Sequence, residues 1–167
     1  MLRWMPLLLL AACAPRMAHI AEPPEPVEIV YETGACFGSC PVYKVTVHNF
    51  GLPNTFEGQR FTAVTGSREF ALSYAQFQAF AQALDEARMA DPKAYQPGGA
   101  NCRLAATDHS SVAVTFRIGQ SAPWTFRFDY GCRDPQNAKL AESLRRAPEL
   151  LPIAAFIGDR KRFAGQR

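Results

Sequence analysis

The chain has 167 residues, of which 48% are hydrophobic and 20% are charged, and its formal net charge is +3. This composition is typical of a folded soluble domain and excludes an intrinsically disordered tail. The length suits one domain of ordinary size. It excludes two large domains, and it excludes a TIM barrel, which needs about 250 residues.

Residues 1–12 predict a secretory signal peptide. Arg3 precedes a leucine-rich apolar run that ends in two alanines before Cys13, as in exported chains. The run is shorter than the roughly 20 residues of a transmembrane helix. Its last part, L-A-A-C, is similar to the lipobox of bacterial lipoproteins, which implies cleavage before Cys13 and attachment of diacylglycerol to its sulfur. The alternative is cleavage after Ala14 by the ordinary signal peptidase, with Cys13 merely a hydrophobic residue of the leader, which would leave Pro15, an unfavourable residue, at the new terminus.

Residues 13–26 are interpreted as a lipidated cysteine followed by a proline-rich tether. The segment contains four prolines and no apolar periodicity, and proline-rich chain extends by about 3.1 Å per residue. We expect permanent attachment to the lipid bilayer through acylated Cys13, because two or three acyl chains bind far more strongly than one. Ala14 stands where many inner-membrane lipoproteins carry aspartate. The expected location is therefore the bacterial cell envelope, facing the periplasm and anchored in the outer membrane.

A single domain is predicted over residues 27–158, and it begins with strands. Apolar and polar residues alternate at 27–31 and again at 43–47, and this period of two is typical of half-buried strands. Glycine, cysteine and proline between the two segments predict a turn. Three shorter strand-like pieces follow, at residues 55–57, 60–64 and 68–72.

The next elements are a helix and a strand pair. Ser73 and Gln76 fit a capping box, and apolar residues recur at helical spacing after them, so an amphipathic helix is predicted from Ser73 to about Met89. Bulky aromatic and β-branched residues then alternate at 112–118 and at 124–130. This alternation predicts the clearest strand pair of the chain and a large part of its core.

The last elements are helical. Asp134 followed by proline predicts a helix N-cap, and that helix is expected to end near Pro148. Residues 150–157 are predicted to form a short final helix, and residues 159–167 are predicted to form a basic tail. Together the elements predict an α+β fold, a mainly antiparallel sheet of hairpins with two to three helices packed on one face.

Four cysteines remain after Cys13, and an even number in an exported chain predicts disulfide bonds. Three connectivities are possible. We favour Cys36 with Cys40, which share one tight turn, and Cys102 with Cys132, which flank the aromatic strand pair. The chain-entropy model assigns about 3.7 kcal/mol to the longer loop and about 2 kcal/mol to the shorter one, so the second bridge should be the more stabilising.

The first cysteine pair carries a family resemblance. The run C-F-G-S-C-P-V-Y from Cys36 to Tyr43 resembles the signature C-F-G-x-C-P-x-Y of an uncharacterised bacterial domain family that is often found in lipoproteins. The resemblance continues weakly through Asp108 and through Asp129 to Cys132. This family usually has tyrosine where the chain has Phe56. The resemblance implies a shared fold over about residues 27–158 and no known activity.

Two catalytic or metal-binding interpretations compete with a plain binding or structural role. The pattern C-x-x-x-C-P is similar to that of copper-delivery proteins with a thioredoxin-like fold, which implies copper or thiol-redox chemistry at Cys36 and Cys40. Those sites use a helix N-terminus to lower the thiol pKa, whereas a strand is predicted here. A Cu(I) site also favours a further soft or imidazole ligand, and the histidines available in the domain are His48 and His109.

Residues 107–111, T-D-H-S-S, contain the residue types of a hydrolase triad. Sequence neighbours seldom face one another in triad geometry, and the chain lacks the G-x-S-x-G turn. We therefore predict no enzyme, no catalytic residue, no metal and no cofactor. The expected partners are the bilayer and an unidentified envelope protein, and not nucleic acid, because the chain is exported and has no stacking motif.

Overall fold

The structure of the protein is a computed structural model that describes residues 25–159. Within this range, six strands form one antiparallel sheet. The strands are β1 (Val27–Thr33), β2 (Val42–His48), β3 (Asn54–Arg60), β4 (Gly66–Phe70), β5 (Ser111–Ile118) and β6 (Trp124–Asp129). Their order across the sheet is β4-β3-β2-β1-β5-β6, so the N-terminal strand β1 lies in the middle between β2 and β5.

The alternating pattern of the strands separates a buried face from a polar face. Bulky residues of β1, β2, β5 and β6 are buried on one side of the sheet, among them Ile29, Val45, Val114 and Phe126. The opposite side carries charged pairs such as Lys44–Glu57, whose atoms Nζ and Oε2 are 2.7 Å apart. One face therefore packs the core against helices, and the predicted α+β class is confirmed.

Four α-helices lie beside the sheet in the described range: α1 (Tyr74–Ala83), α2 (Asp85–Met89), α3 (Ala138–Arg146) and α4 (Ala154–Ile157). Ser73 is the N-cap of helix α1: its Oγ accepts from the Gln76 backbone N–H at 3.2 Å, while the Gln76 Oε1 accepts from the Ser73 N–H at 3.0 Å. The capping box is confirmed. The prediction of one continuous helix to Met89 is wrong, because Leu84 leaves the helical conformation and is fully buried.

The strand-like piece predicted at residues 60–64 is not a strand of the sheet. Phe61 has a positive φ of 53°, which breaks the extended chain after β3. The backbone N–H groups of Ala63 and Val64 donate to the carbonyls of Ile157 and Phe156, both at 3.0 Å. This segment therefore pairs with the C-terminal helix, a contact that no local pattern indicates.

The helix predicted after Asp134 begins later than the sequence indicates. A 3-10 turn over Pro135–Asn137 precedes α3, and the Asp134 side chain makes no cap hydrogen bond. Its carboxylate instead accepts from the Arg103 backbone N–H at 3.2 Å. Likewise, the final helix predicted over residues 150–157 is shorter than expected: a 3-10 turn at Ala147–Leu150 follows α3, and helix α4 covers only Ala154–Ile157.

The predicted signal peptide, the acylation of Cys13, most of the tether and nearly all of the basic tail lie outside the described residues. Within residues 25–159, none of the helices has the length and apolar character needed to cross a membrane.

The sheet has two ends that matter below. The near end is where β1 begins, and Val27 there pairs with Ile118 of β5. The far end is where β1 finishes, and Thr33 there pairs with Val112. Seven strand residues separate them, which at about 3.3 Å per residue is roughly 20 Å.

Candidate binding cleft

The loop between β1 and β2 lies at the far end of the sheet and is closed by a disulfide bond. The Sγ atoms of Cys36 and Cys40 are 2.03 Å apart and their Cα atoms 5.7 Å. Gly38 between them has a φ of +150°, a conformation that side-chain-bearing residues rarely adopt. The Phe37 N–H donates to the Asp108 carbonyl at 3.1 Å, while the Phe37 side chain is 84% exposed.

Thr33 holds the other side of this loop. Its hydroxyl donates to the Pro41 carbonyl at 2.9 Å and accepts from the Tyr43 N–H at 3.0 Å. The Gly34 N–H donates to the Ser111 carbonyl at 2.8 Å. Residues of β1, β2 and β5 therefore hold the loop in place, in addition to its own disulfide.

A cleft of about 520 Å³ opens between this loop, the far end of the sheet and the C-terminal helices. Its volume lies in the range of small-molecule sites. The apolar wall includes Phe37, Pro41, Pro148, Ile157 and the Cys36–Cys40 disulfide, and the polar residues include Ser39, Ser110, Ser111, Arg145, Glu149 and three tyrosines. Apolar walls with a few convergent polar groups are typical of ligand sites.

The three tyrosines of the cleft are Tyr31, Tyr43 and Tyr130. The Tyr31 hydroxyl donates to the Leu144 carbonyl at 2.8 Å, which fixes the end of α3 to the centre of the sheet. Burial raises the pKa of Tyr31 well above 10.0, and the neighbouring Tyr130 and Tyr43 raise it further. Tyr31 is therefore a neutral hydrogen-bond donor at physiological pH.

Arg145 supplies the positive charge of the cleft. Its guanidinium carbon lies 4.4 Å from the centroid of the Tyr130 ring, within the range of a cation–π contact. The nearby carboxylate of Glu149 is 3.7 Å from the Nε of Arg146. Across residues 25–159, Arg145 forms no ion pair with a carboxylate, so its guanidinium has hydrogen-bond donors to offer a ligand.

The second disulfide joins Cys102 and Cys132, whose Cα atoms are 4.7 Å apart. Both residues are buried, with exposures of 0% and 3%, whereas Cys36 and Cys40 are partly exposed. The two bonds are the pairs that the sequence favours. The first forms part of the cleft wall, and the second fastens the loop after α2 to the end of β6.

The residues of the T-D-H-S-S run do not assemble as a triad. The His109 Nε2 lies 2.7 Å from a guanidinium nitrogen of Arg133, and Asp108 accepts from the Thr107 hydroxyl at 3.3 Å. In the described part of the chain, neither is hydrogen-bonded to Ser110 or to the following serine.

His48 lies at the near end of the sheet, away from the cleft. Its Nε2 is 3.2 Å from Glu28 on the polar face, and Glu28 also contacts Arg117. No group of three His, Cys, Asp or Glu side chains within residues 25–159 is arranged to hold a metal ion.

Sequence reasoning missed Tyr31, Tyr130 and Arg145 as site residues. Tyr31 continues the buried positions of an alternating strand and so resembles any core residue. Arg145 lies in a run of helix-surface charges. The only local indication of a site is the C-F-G-S-C-P run, which forms one wall of the cleft.

A family model described as a domain of unknown function (DUF6438) matches residues 27–148. The chain belongs to this family. The DUF6438 match spans the whole sheet and α3, and so includes the disulfide loop, Tyr31, Tyr130 and Arg145. Residues such as Ala154 and Ile157, which complete the cleft, lie beyond it. No curated protein matches the chain by sequence.

Proposed function

We propose that the protein is a lipoprotein of the bacterial cell envelope, anchored through acylated Cys13, whose DUF6438 domain is a non-enzymatic binding module. The domain faces the periplasm, and the anchor lies in the outer membrane. The observation that carries the binding role is the cleft of about 520 Å³ beside the Cys36–Cys40 loop. The leader sequence and the lipobox-like L-A-A-C support the anchor.

The placement of the cleft agrees with such a role. The tether joins the domain at the near end of the sheet, because β1 begins there at Val27. The cleft lies at the far end, beside Thr33 and Ser111. A domain attached at one end and open at the other presents its binding site away from its anchor.

The lining of the cleft favours a small organic acid with an apolar body. The guanidinium of Arg145 offers donors to a carboxylate, and the Tyr130 ring beneath it holds the guanidinium in place. Phe37, Pro148 and Ile157 supply apolar surface for the remainder of the ligand.

The anchor is tested by intact mass measurement of protein extracted from membranes, with and without reductant. We expect a chain that begins at Cys13 and carries the mass of two or three acyl chains. Cys13→Ser should lack the added mass and retain residues 1–12, because the lipobox cysteine is the site of modification and cleavage. A soluble parent chain that still begins at Met1 contradicts the proposal.

The binding role is tested by NMR titration of the isotope-labelled mature protein with phenylacetate, and with neutral phenylacetamide for comparison. We expect phenylacetate to shift cleft amides such as those of Ser111 and Tyr130, and phenylacetamide to do so far less. Arg145→Gln should weaken phenylacetate binding about tenfold, as expected for loss of a charge-assisted hydrogen bond.

Lys139→Gln is the matched control for this titration, because Lys139 lies on the same helix α3 and carries the same charge, but its Nζ is 4.0 Å from Glu86 and it does not line the cleft. It should bind phenylacetate like the parent. Equal weakening by both variants, or equal binding of the acid and the amide, would contradict a site for acids at Arg145.

Copper or thiol-redox chemistry at Cys36 and Cys40 is the second candidate function. One observation favours it: this disulfide is partly exposed and lines the cleft. The residues after it form strand β2, whereas in copper and redox sites of this kind a helix follows the cysteines and activates their thiols. Alkylation of native protein, followed by Cu(I) titration after reduction, separates the two functions. Two alkylated cysteines, or one bound copper per chain, would favour the redox protein.

A further inference from the structure

The hairpin between β2 and β3 ends in an exposed apolar tip. Phe50 is 46% exposed and Leu52 is 62% exposed, and Gly51 between them has a φ of +81°. The tip, residues 49–54, contains no charged residue. Two large apolar side chains are therefore presented to solvent together on a tight turn, without a charge to solvate them.

The tip is fixed against the start of the domain. Asn49 Oδ1 accepts from the Val27 N–H at 2.9 Å, and Asn49 Nδ2 donates to the Glu25 carbonyl at 2.7 Å. The Asn49 N–H also donates to the Val27 carbonyl at 3.1 Å. At the base of the tip, Asn54 Oδ1 accepts from the His48 N–H at 2.9 Å. Phe50 and Leu52 therefore lie where the chain arrives from the anchor.

The chain between the anchor and the domain is short. Only residues 14–24 separate Cys13 from Glu25, and extended proline-rich chain advances by about 3.1 Å per residue. The near end therefore stays within roughly 35 Å of an acylated Cys13. A surface tethered at such a distance meets the lipid at a high effective concentration, so even weak contacts are populated.

We propose that Phe50 and Leu52 insert into the interface of the bilayer that holds Cys13, as a second membrane contact of the protein. This inference rests on the proposed lipid anchor. The uncharged tip matches the lipid interface, where aromatic and aliphatic side chains are buried at the boundary between headgroups and acyl chains. The contact directs the near end to the bilayer and holds the cleft at the opposite end, facing the periplasm.

The test uses the mature lipoprotein in vesicles whose phosphatidylcholine is brominated on the acyl chains. Bromine quenches tryptophan on contact, so only a side chain below the headgroups loses emission. In Phe50→Trp we expect about a twofold loss of the added emission, as for an aromatic residue at the membrane interface. The emission of Trp124, present in the parent, is subtracted. Adding Leu52→Ser should reduce the quenching, because it removes half of the apolar tip.

Phe37→Trp is the matched control. Phe37 is 84% exposed and also lies in a loop, but it is at the far end, so its emission should be the same in brominated and ordinary lipid. Thermal unfolding of both variants shows whether they keep the parent fold. Phe50→Ser with Leu52→Ser gives a second readout. In vesicles we expect faster amide hydrogen exchange at residues 49–52 in this variant than in the parent, and no such difference in unlipidated protein without detergent.

The outcomes separate the two proposals. If mass measurement shows the acyl chains but Phe50→Trp is unquenched, or is quenched no more than Phe37→Trp, the membrane contact of the tip is wrong and the anchor stands. A tip shielded by a protein partner or a second copy of the chain would give this result. If the acyl chains are missing from membrane-extracted protein, the proposed function itself is wrong.

Discussion

At the scale of single residues, Tyr31 connects the centre of the sheet to helix α3. It is 3% exposed and donates from its hydroxyl to the Leu144 carbonyl. Tyr31→Phe should lower the free energy of unfolding by about 1 to 3 kcal/mol, because the buried carbonyl loses its hydrogen-bond partner. Urea unfolding at pH 7 measures the difference. A variant as stable as the parent would show that the carbonyl finds another donor.

The same residue should make stability depend on pH. Burial raises the folded pKa of Tyr31 above 10.0, so above pH 10 the unfolded chain loses the proton first. The stabilisation is complete below pH 10 and is lost as the pH rises towards the folded pKa, with a slope of at most about 1.4 kcal/mol per pH unit. The difference in unfolding free energy between parent and Tyr31→Phe should therefore stay constant up to pH 10 and shrink as the pH rises above it. A constant difference would contradict the pKa shift.

Gly58 shows a residue whose role the sequence misrepresents. In the sequence it falls between the strand-like pieces predicted at residues 55–57 and 60–64, but the structure places it inside β3, where a Cβ atom would clash with the Val64 carbonyl oxygen and lie 2.7 Å from the Thr62 hydroxyl. Gly58→Ala should therefore destabilise the domain by about 1 to 3 kcal/mol, as overpacking does. Urea unfolding measures the loss. Gln59→Ala, at the exposed neighbouring position, is the control, and equal effects of the two substitutions would contradict the argument.

At the scale of elements, the two disulfides should contribute unequally. Replacing Cys102 and Cys132 by serine should cost about 3.7 kcal/mol or more, and replacing Cys36 and Cys40 about 2 kcal/mol. Cys102 and Cys132 are 30 positions apart in sequence, whereas Cys36 and Cys40 are only 4 apart. The Cys102–Cys132 bond is also buried. Urea unfolding of the two double variants measures both values. A larger loss for the Cys36 and Cys40 variant would contradict the entropic argument.

The same difference in burial predicts the order of reduction. In native protein, a mild reductant should open Cys36–Cys40 before Cys102–Cys132, because Cys36 and Cys40 are partly exposed and line the cleft. Alkylation and peptide mass mapping at increasing reductant concentration measure the order. Simultaneous opening would indicate that global unfolding controls both bonds.

Elements were predictable wherever one local signal determined them. Bulky alternation located β5 and β6, and the capping box located the start of α1. The break at Leu84 was not predictable, because it depends on core packing against the sheet. The pairing of Val64 with Phe156 was hidden for the same reason, since more than ninety positions separate these partners.

At the scale of the whole molecule, the cleft could not be predicted from the sequence. Its walls come from β1, the disulfide loop, the end of β6, α3 and the last helix, and only the antiparallel order of the sheet brings them together. The C-F-G-S-C-P run indicates that its loop is unusual. It does not indicate that Tyr130 and Arg145 lie opposite, because that follows from the tertiary packing of α3.

The fold also extends beyond the family match, which ends at residue 148. Leu151 and Ile153 are buried at 4% and 0% exposure, and the Phe156 ring packs at a tilt against Phe56 with ring centroids 5.5 Å apart. Each such side chain contributes about 1.5 to 3 kcal/mol when buried. A chain truncated after Pro148 should therefore lose most of the 5 to 15 kcal/mol that stabilises a typical domain.

The measurement is the thermal unfolding of the truncated protein, monitored by circular dichroism. We expect the truncation after Pro148 to abolish the cooperative transition or to lower its midpoint by more than about 15 °C, given roughly 2 to 4 °C for each kcal/mol in a domain of this size. Truncation after Asp159 is the control, because it keeps the contacts of Leu151, Ile153 and Phe156. If both truncations lower the midpoint equally, residues 149–158 do not belong to the folding unit, and the cleft wall that they form is not needed for the DUF6438 fold.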